Sequence, residues 1–217
     1  MNNYVIIPAY NEGERISQVI AKVKEYTDNI IVVDDGSSDK TFAYAKEKGA
    51  VVLRHQVNMG KGAALKTGCD YALVKGAEKL VVLDADGQHQ PEEIPKFLQE
   101  LENNDIVFSY RKESEVMPLV LRFGNNVINT ILKKTCGGHI KDSQCGYRAF
   151  TAEAYTKVRW DSRDYYMETE MIIKASKNRL KYSQIPIETI YSDKYKGTTV
   201  IDGAKIVMKM VGSKFLK

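Results

Sequence analysis

Leu80-Val81-Val82-Leu83-Asp84-Ala85-Asp86-Gly87-Gln88-His89 is an apolar run that stops at two carboxylates spaced i, i+2. Read as a strand, it alternates its side chains between two faces, so Asp84 and Asp86 share one side at the strand's C-terminal end. Two carboxylates placed there suit Mg²⁺ or Mn²⁺. Such ions prefer hard oxygens, keep few protein ligands and take the rest from water and phosphate. The same residues also form ordinary turns through Asx hydrogen bonds, so the pair needs support from the rest of the chain.

Outward from that run, strands at 4–7, 29–33, 50–54, 79–83 and 105–109 alternate with helices at 14–26, 40–48, 62–75 and 92–102. This alternation predicts an α/β fold with a mostly parallel sheet and crossover helices. Each polar cluster of interest follows a strand: 8–12, 34–39 and 84–89. Ligands of open α/β sheets bind outside the carboxyl ends of the strands, so the three loops are expected to meet in one cleft.

With 217 residues, 43% hydrophobic and 28% charged, the chain is long enough for one globular domain spanning 1–217. A net charge of +4 is too small to argue for nucleic acid. Cys69, Cys136 and Cys145 are odd in number and lack CxxC spacing, as expected of reduced thiols in a cytoplasmic protein. No signal-peptide pattern opens the sequence, and no window of about 18 apolar residues exists to span a bilayer. Any membrane contact is therefore expected to be peripheral, at the cytoplasmic face.

The loop motifs carry the chemistry. Pro8, Tyr10 and Glu12 offer a flat ring and polar groups for a base and ribose pocket; alternatively this is a capping loop with Asn11 as N-cap. Asp34 and Asp35 end the second strand, where a carboxylate can accept the N–H of a nucleobase, while Asp39 is placed as a helix cap. Gly60-Lys61-Gly62 opens a helix. There Lys61 can meet a phosphate, or the glycines simply allow tight packing. Neither GxxxxGK[ST] nor GxGxxG is present, which disfavours a P-loop ATPase and a dinucleotide-binding domain.

Taken together and in order, PAYNE (8–12), VVDDGSSDKT (32–41), NMGKGAALKTG (58–68) and LDADGQHQP (83–91) resemble the inverting family 2 glycosyltransferases. Within that family the chain is most similar to the dolichyl- or polyprenyl-phosphate glycosyltransferases, over roughly residues 4–150. The resemblance implies the GT-A fold, a Rossmann-like three-layer sandwich. It divides the chain into a nucleotide-sugar half (1–110) and an acceptor half (111–217). It places Pro8, Tyr10, Glu12 and Asp35 on the nucleotide and Asp84, Asp86 and Gln88 on Mg²⁺ or Mn²⁺; Asp84 and, from its place at a helix start, Lys61 are counted with the nucleotide-binding residues. His89 is expected to be structural or to stand behind the ligands.

Arg111 and Arg122 would by resemblance bind the acceptor phosphate, which suits the bidentate guanidinium; surface charges are the alternative. Asp142 and Arg148 match the family's Asp-x-x-x-Gly-aromatic-Arg segment on the sugar and acceptor side, with an internal salt bridge as the bland reading. Glu170 falls where relatives keep an acidic residue near the sugar, and Glu168 reads equally well as a solvated helix face. Asp86, Arg111, Arg122 and Glu170 are the residues expected to act in catalysis.

Segments 116–134 and 200–217 are amphipathic and basic, as for a helix lying on a membrane surface; packing in the core or in a homo-oligomer fits them as well. The expected reaction moves a sugar from a nucleotide sugar to dolichyl or polyprenyl phosphate. UDP-glucose or UDP-N-acetylglucosamine stand ahead of GDP-mannose as donors, and the product would be a β-linked lipid phosphate sugar. Two alternatives remain open: transfer to a saccharide hydroxyl in cell-surface polysaccharide synthesis, with Glu168 or Glu170 as base, and a non-catalytic nucleotide-binding module.

Overall fold

Strands that are apolar on both faces, such as Ile30 to Val33 and Leu80 to Leu83, have to be covered on both sides. The computed structural model describes residues 2–112, 119–137, 140–188 and 200–215, and it covers them with helices. The order is β1 (Asn3–Ala9), α1 (Arg15–Val23), β2 (Ile30–Asp34), α2 (Thr41–Glu47), β3 (Val51–Arg54), α3 (Lys61–Val74) and β4 (Lys79–Val82). A 3-10 turn at Pro91–Glu93 leads into α4 (Ile94–Glu100), β5 (Ile106–Arg111), α5 (Leu119–Cys136), β6 (Arg148–Thr151), α6 (Ala152–Val158), α7 (Tyr166–Lys177), β7 (Tyr182–Ile187) and α8 (Val200–Phe215).

The strands form one seven-stranded sheet in the order β3-β2-β1-β4-β6-β5-β7. Only β6 runs antiparallel, paired with β4 and β5. Alternation along the strands divides the core: Val5, Ile7, Ile30, Val32, Val81 and Val107 pack with α1, α2 and α4, while Ile6, Ile31, Val33, Leu80, Val82 and Phe108 pack with α3 and α5 to α8. The result is the expected three-layer sandwich. Two strands come from the second half of the chain, so β6 and β7 knit the halves into one sheet.

Between β1 and β4 the chain reverses its direction of travel across the sheet, which opens a crevice at their carboxyl ends. Pro8 is tolerated in this central strand because the β1–β4 pairing has ended at Ile6–Val82. Its missing N–H therefore removes no ladder bond on that side. On α3, Gly68 lets the helix lie against the sheet: a Cβ there would come within 2.5 Å of Ile6 Cγ2.

The amphipathic segments contribute to the core. Ile128 and Leu132 on α5, and Ile206 and Met210 on α8, are buried in the same cluster as α7. On the outer side of α8, Lys205 is exposed and Met208 is 65% exposed. Among the described residues no helix is long and apolar enough to cross a membrane.

Candidate active site

β4 ends at Val82, one residue earlier than its apolar run, so strand alternation does not place Asp84 and Asp86. A turn does. Asp86 accepts the Gln88 N–H at 2.9 Å, and Gly87 takes φ +78°, the left-handed region that suits glycine. The Asp84 N–H donates to His89 Nδ1 at 3.1 Å, and the buried His89 ring stacks on Tyr147. That acceptor role requires a neutral Nδ1, and burial lowers the His89 pKa in agreement.

Facing this turn is a cluster of charges. Lys61, the first residue of α3, places Nζ 2.8 Å from Asp84 Oδ1 and 3.0 Å from Glu168 Oε1 on α7. Burial opposes ionisation of Asp84, but Lys61 more than offsets it and the carboxyl lies below the ordinary value. Asp86 is pushed up by burial and then by the neighbouring Asp84 charge. Glu168 is 1% exposed, and its Oε2 is a buried acceptor with no hydrogen-bond partner.

Gly146 closes over the cluster. A Cβ there would lie 2.7 Å from Lys61 Nζ, 3.0 Å from Asp84 Oδ2 and 3.3 Å from Glu168 Oε1. In the sequence Gly146 stands only as one position of the 142–148 motif, without these contacts, and Glu168 is not separated from Glu170 as the residue that faces the cleft. The clue to Gly146 is a glycine beside large side chains in Cys145-Gly146-Tyr147, where only a missing Cβ admits three charged groups.

Gly60 and Gly62 turn out to be packing glycines. Added Cβ atoms would meet Arg163 O at 2.4 Å and Ser162 O at 2.5 Å, and the Ala63 N–H donates to Arg163 O. The start of α3 is thus covered by the 162–163 loop.

Asp35 sits at the end of β2, 3% exposed. Its Oδ1 accepts from His55 Nδ1 at 2.7 Å and from the Met59 N–H at 2.9 Å, and its Oδ2 accepts from the Gly60 N–H at 2.8 Å. Asn11 is not a helix cap. It adopts φ +53°, accepts the Ser38 N–H at 2.9 Å and so ties the β1 loop to the β2 loop. Tyr10 beside it is 47% exposed, Pro8 and Glu12 are half-buried, and Glu12 lies 3.5 Å from Arg15.

At the end of β5, Arg111 grips Asp142 through two hydrogen bonds, Nε to Oδ2 at 2.7 Å and an NH2 nitrogen to Oδ1 at 3.0 Å. Asn125 on α5 adds a third contact to Asp142 at 2.9 Å. Burial opposes ionisation of Asp142, and Arg111 still holds its carboxyl below the ordinary value. The salt bridge that the sequence allowed at Asp142 is therefore made with Arg111.

Two expected residues lie elsewhere. Arg148, 1% exposed, donates to the backbone carbonyls of Cys145, Glu168 and Ser143, so it braces the loop that carries Gly146 and reaches no cleft. Glu170 accepts from the Asp161 and Ser162 N–H groups and the Ser162 hydroxyl, and pairs with Lys174 at 2.8 Å. Residues two apart on a helix point about 200° apart, so Glu168 enters the cleft and Glu170 fastens the 161–162 loop. Arg122 lies on α5 with its side chain outside the described residues.

The fold and this strand-end cleft define a GT-A glycosyltransferase. The model of glycosyl transferase family 2 matches residues 4–159, and the chain belongs to that family. An uncharacterised protein of Methanocaldococcus jannaschii is 40% identical over 97% of this chain and 91% of its own length. The UDP-N-acetylglucosamine–dolichyl-phosphate N-acetylglucosaminyltransferase of Methanococcus voltae is 36% identical over 96% and 94%. The polyprenol monophosphomannose synthase of Mycolicibacterium smegmatis is 30% identical over 93% and 82%. Among solved structures, glucosyl-3-phosphoglycerate synthase from Mycobacterium tuberculosis in complex with UDP shares the fold, with a TM-score of 0.77 at 21% identity over 97% of this chain and 80% of that one.

Among the described residues no group of three or more His, Cys, Asp and Glu side chains is arranged to hold a metal. Asp84 and Asp86 nonetheless fit a divalent ion that takes its remaining ligands from phosphate and water. Their donors are hard oxygens, and a cation would relieve the repulsion that raises Asp86.

Proposed function

We propose that the chain transfers a sugar from a nucleotide sugar to a polyprenyl or dolichyl phosphate, working peripherally at the cytoplasmic face of a membrane. One observation carries the reading: the loop at 142–146 puts Asp142 on Arg111 at one end and Gly146 on Lys61 and Asp84 at the other. An acceptor held at the β5 end and a diphosphate held at the β4 end are thereby adjacent. The names of the Methanococcus and Mycolicibacterium relatives support a lipid phosphate as acceptor. The former supports UDP-N-acetylglucosamine as donor, with UDP-glucose next and GDP-mannose third. The exposed Lys205 and Met208 on α8 support contact with an anionic lipid surface.

In this reading Pro8, Tyr10, Glu12 and Asp35 line the nucleoside pocket, and Lys61 turns from Asp84 towards the diphosphate. Asp84, Asp86 and Gln88 would hold Mg²⁺ or Mn²⁺, which when bound neutralises charge growing on the leaving diphosphate. Arg111, with Arg122, orients the acceptor phosphate, and Asp142 fixes the Arg111 fork. In-line attack by a phosphate oxygen on the anomeric carbon inverts that centre and gives a β-linked product from an α-linked donor.

The charge states favour a phosphate acceptor over a saccharide hydroxyl. A hydroxyl nucleophile needs a base, yet Glu170 is engaged on its loop and with Lys174, and Glu168, although it enters the cleft, is paired with the Lys61 ammonium. An anionic phosphate oxygen needs none. Comparing polyprenyl phosphate with the matching polyprenol under one donor tests this: product from the phosphate alone supports the proposal, and equal turnover of the alcohol contradicts it.

A further inference from the structure

His55 follows β3, a strand end to which the reading above assigns no task. Its side chain is nearly buried and bridges two elements: Nδ1 lies 2.7 Å from Asp35 Oδ1, and Nε2 lies 3.0 Å from Thr67 Oγ1 on α3. A carboxylate only accepts, so Nδ1 carries the proton, and in the neutral ring Nε2 accepts from the Thr67 hydroxyl. His55 and the Met59 N–H together engage Asp35 Oδ1, whereas Oδ2 accepts a single hydrogen bond, from the Gly60 N–H. A carboxylate oxygen offers about two lone-pair sites. The arrangement therefore turns Asp35 so that one oxygen is filled and the other retains capacity for one more donor.

We infer that His55 is a positioning residue for nucleobase selection: anchored by Thr67, it holds Asp35 so that Oδ2 accepts the ring N–H of a base. The inference rests on the reading of Asp35 as a nucleotide contact. It specifies the ligand class as bases with an imide or amide N–H, such as uracil or guanine. Cytosine presents a bare ring nitrogen at the equivalent place, and its lone pair would face a carboxylate with no proton between them. A nearly buried polar group left unpaired discriminates strongly between such analogues. If Asp35 lost its His55 tether, its carboxylate could rotate on the two backbone N–H groups and the contrast between bases would fade.

Calorimetric titration of UDP and CDP in Mn²⁺ buffer tests this on the wild type, His55→Ala, His55→Asn and Thr67→Val, with thermal unfolding of each as a control. The wild type is expected to prefer UDP by tenfold or more. His55→Ala should reduce that ratio to about two, mostly through weaker UDP binding. His55→Asn, whose amide N–H replaces Nδ1–H, should restore most of the preference, and Thr67→Val should lower it less than His55→Ala does. Folded variants that all keep the wild-type ratio would overturn the inference. Should His55→Ala fail to fold, the Asn and Val variants decide by the same ratio. A wild type that binds UDP without preferring it to CDP also overturns it, whereas one that binds neither nucleotide sinks the functional reading on which it rests.

Discussion

Lys61 Nζ and Glu168 Oε1 meet at 3.0 Å although 107 positions separate them, and the contact joins the start of α3 to the first turn of α7 beneath the Asp84 turn. Burial works against the Lys61 charge, but the carboxylates of Asp84 and Glu168 outweigh it and raise its pKa, so the lysine stays cationic at any working pH. Removing that charge strands a buried carboxylate. Lys61→Met is expected to lower stability by about 3 kcal/mol, as when one partner of a buried pair is deleted. In Lys61→Met/Glu168→Gln the loss should be smaller than for Lys61→Met alone, because the more deeply buried of the two carboxylates that Lys61 pairs, Glu168, is then uncharged. Urea denaturation of the single and double variants checks this; strictly additive losses would contradict the coupling.

Gly146→Ala separates binding from folding. The added methyl would intrude on Lys61 Nζ, the mobile end of a long side chain, so the backbone can stay in place. Stability should fall by only about 1 kcal/mol, at the low end of overpacking effects. Displacing Lys61 should weaken donor binding about tenfold or more. Steady-state kinetics at varied donor concentration, paired with thermal unfolding, reads both.

Asp142 predicts a pH signature. Its pKa is lower in the folded protein than its unfolded value of 3.8, because Arg111 outweighs the cost of burial. The pair therefore stabilises the fold fully above about pH 4, and that contribution is lost as pH falls through the lower folded pKa. Asp142→Asn should cost about 2 kcal/mol near pH 7, within the range for hydrogen bonds to charged groups. The gap to wild type should narrow progressively below pH 4. Denaturation curves at pH 7, 4 and 3 measure it, and a gap that stays constant across the series would be inconsistent with the pair.

Glu170→Gln tests which acidic residue of α7 serves the reaction. Since Glu170 fastens residues 161 and 162, the substitution should lower stability by about 1–2 kcal/mol, the scale of a lost charge-assisted bond. Turnover should stay within about tenfold of wild type. Asp86→Ala should abolish transfer while leaving the fold intact. A Glu170→Gln protein that folds normally but does not turn over would restore Glu170 to the chemistry.

The sheet centre was legible because Ile30 to Val33 and Leu80 to Leu83 are apolar on both faces, which only a doubly covered strand requires. β6 was not: four residues that begin with a buried arginine look like a polar segment, and its antiparallel pairing is settled by tertiary packing. β7 carries Pro186, which a sheet tolerates at an edge. At the site, Asp35, Asp84, Asp86 and Arg111 announced themselves as charges at strand ends. Glu168 and Glu170 did not separate, since choosing between opposite helix faces needs the neighbour across the gap, Lys61. His55 was not legible because it acts through a partner distant in sequence, Asp35, and Gly146 was legible only as one position of the 142–148 motif, since its contact with Lys61 is set by packing.

The central claim is sugar transfer to a lipid phosphate, and one measurement addresses it directly. UDP-N-acetylglucosamine, UDP-glucose and GDP-mannose are each incubated with the protein, Mn²⁺ and a short polyprenyl phosphate, and the lipid fraction is examined by mass spectrometry. A lipid heavier by one sugar residue, from a UDP-sugar most readily and absent with Asp86→Ala, is the predicted result. Intact lipid phosphate with all three donors would contradict the account.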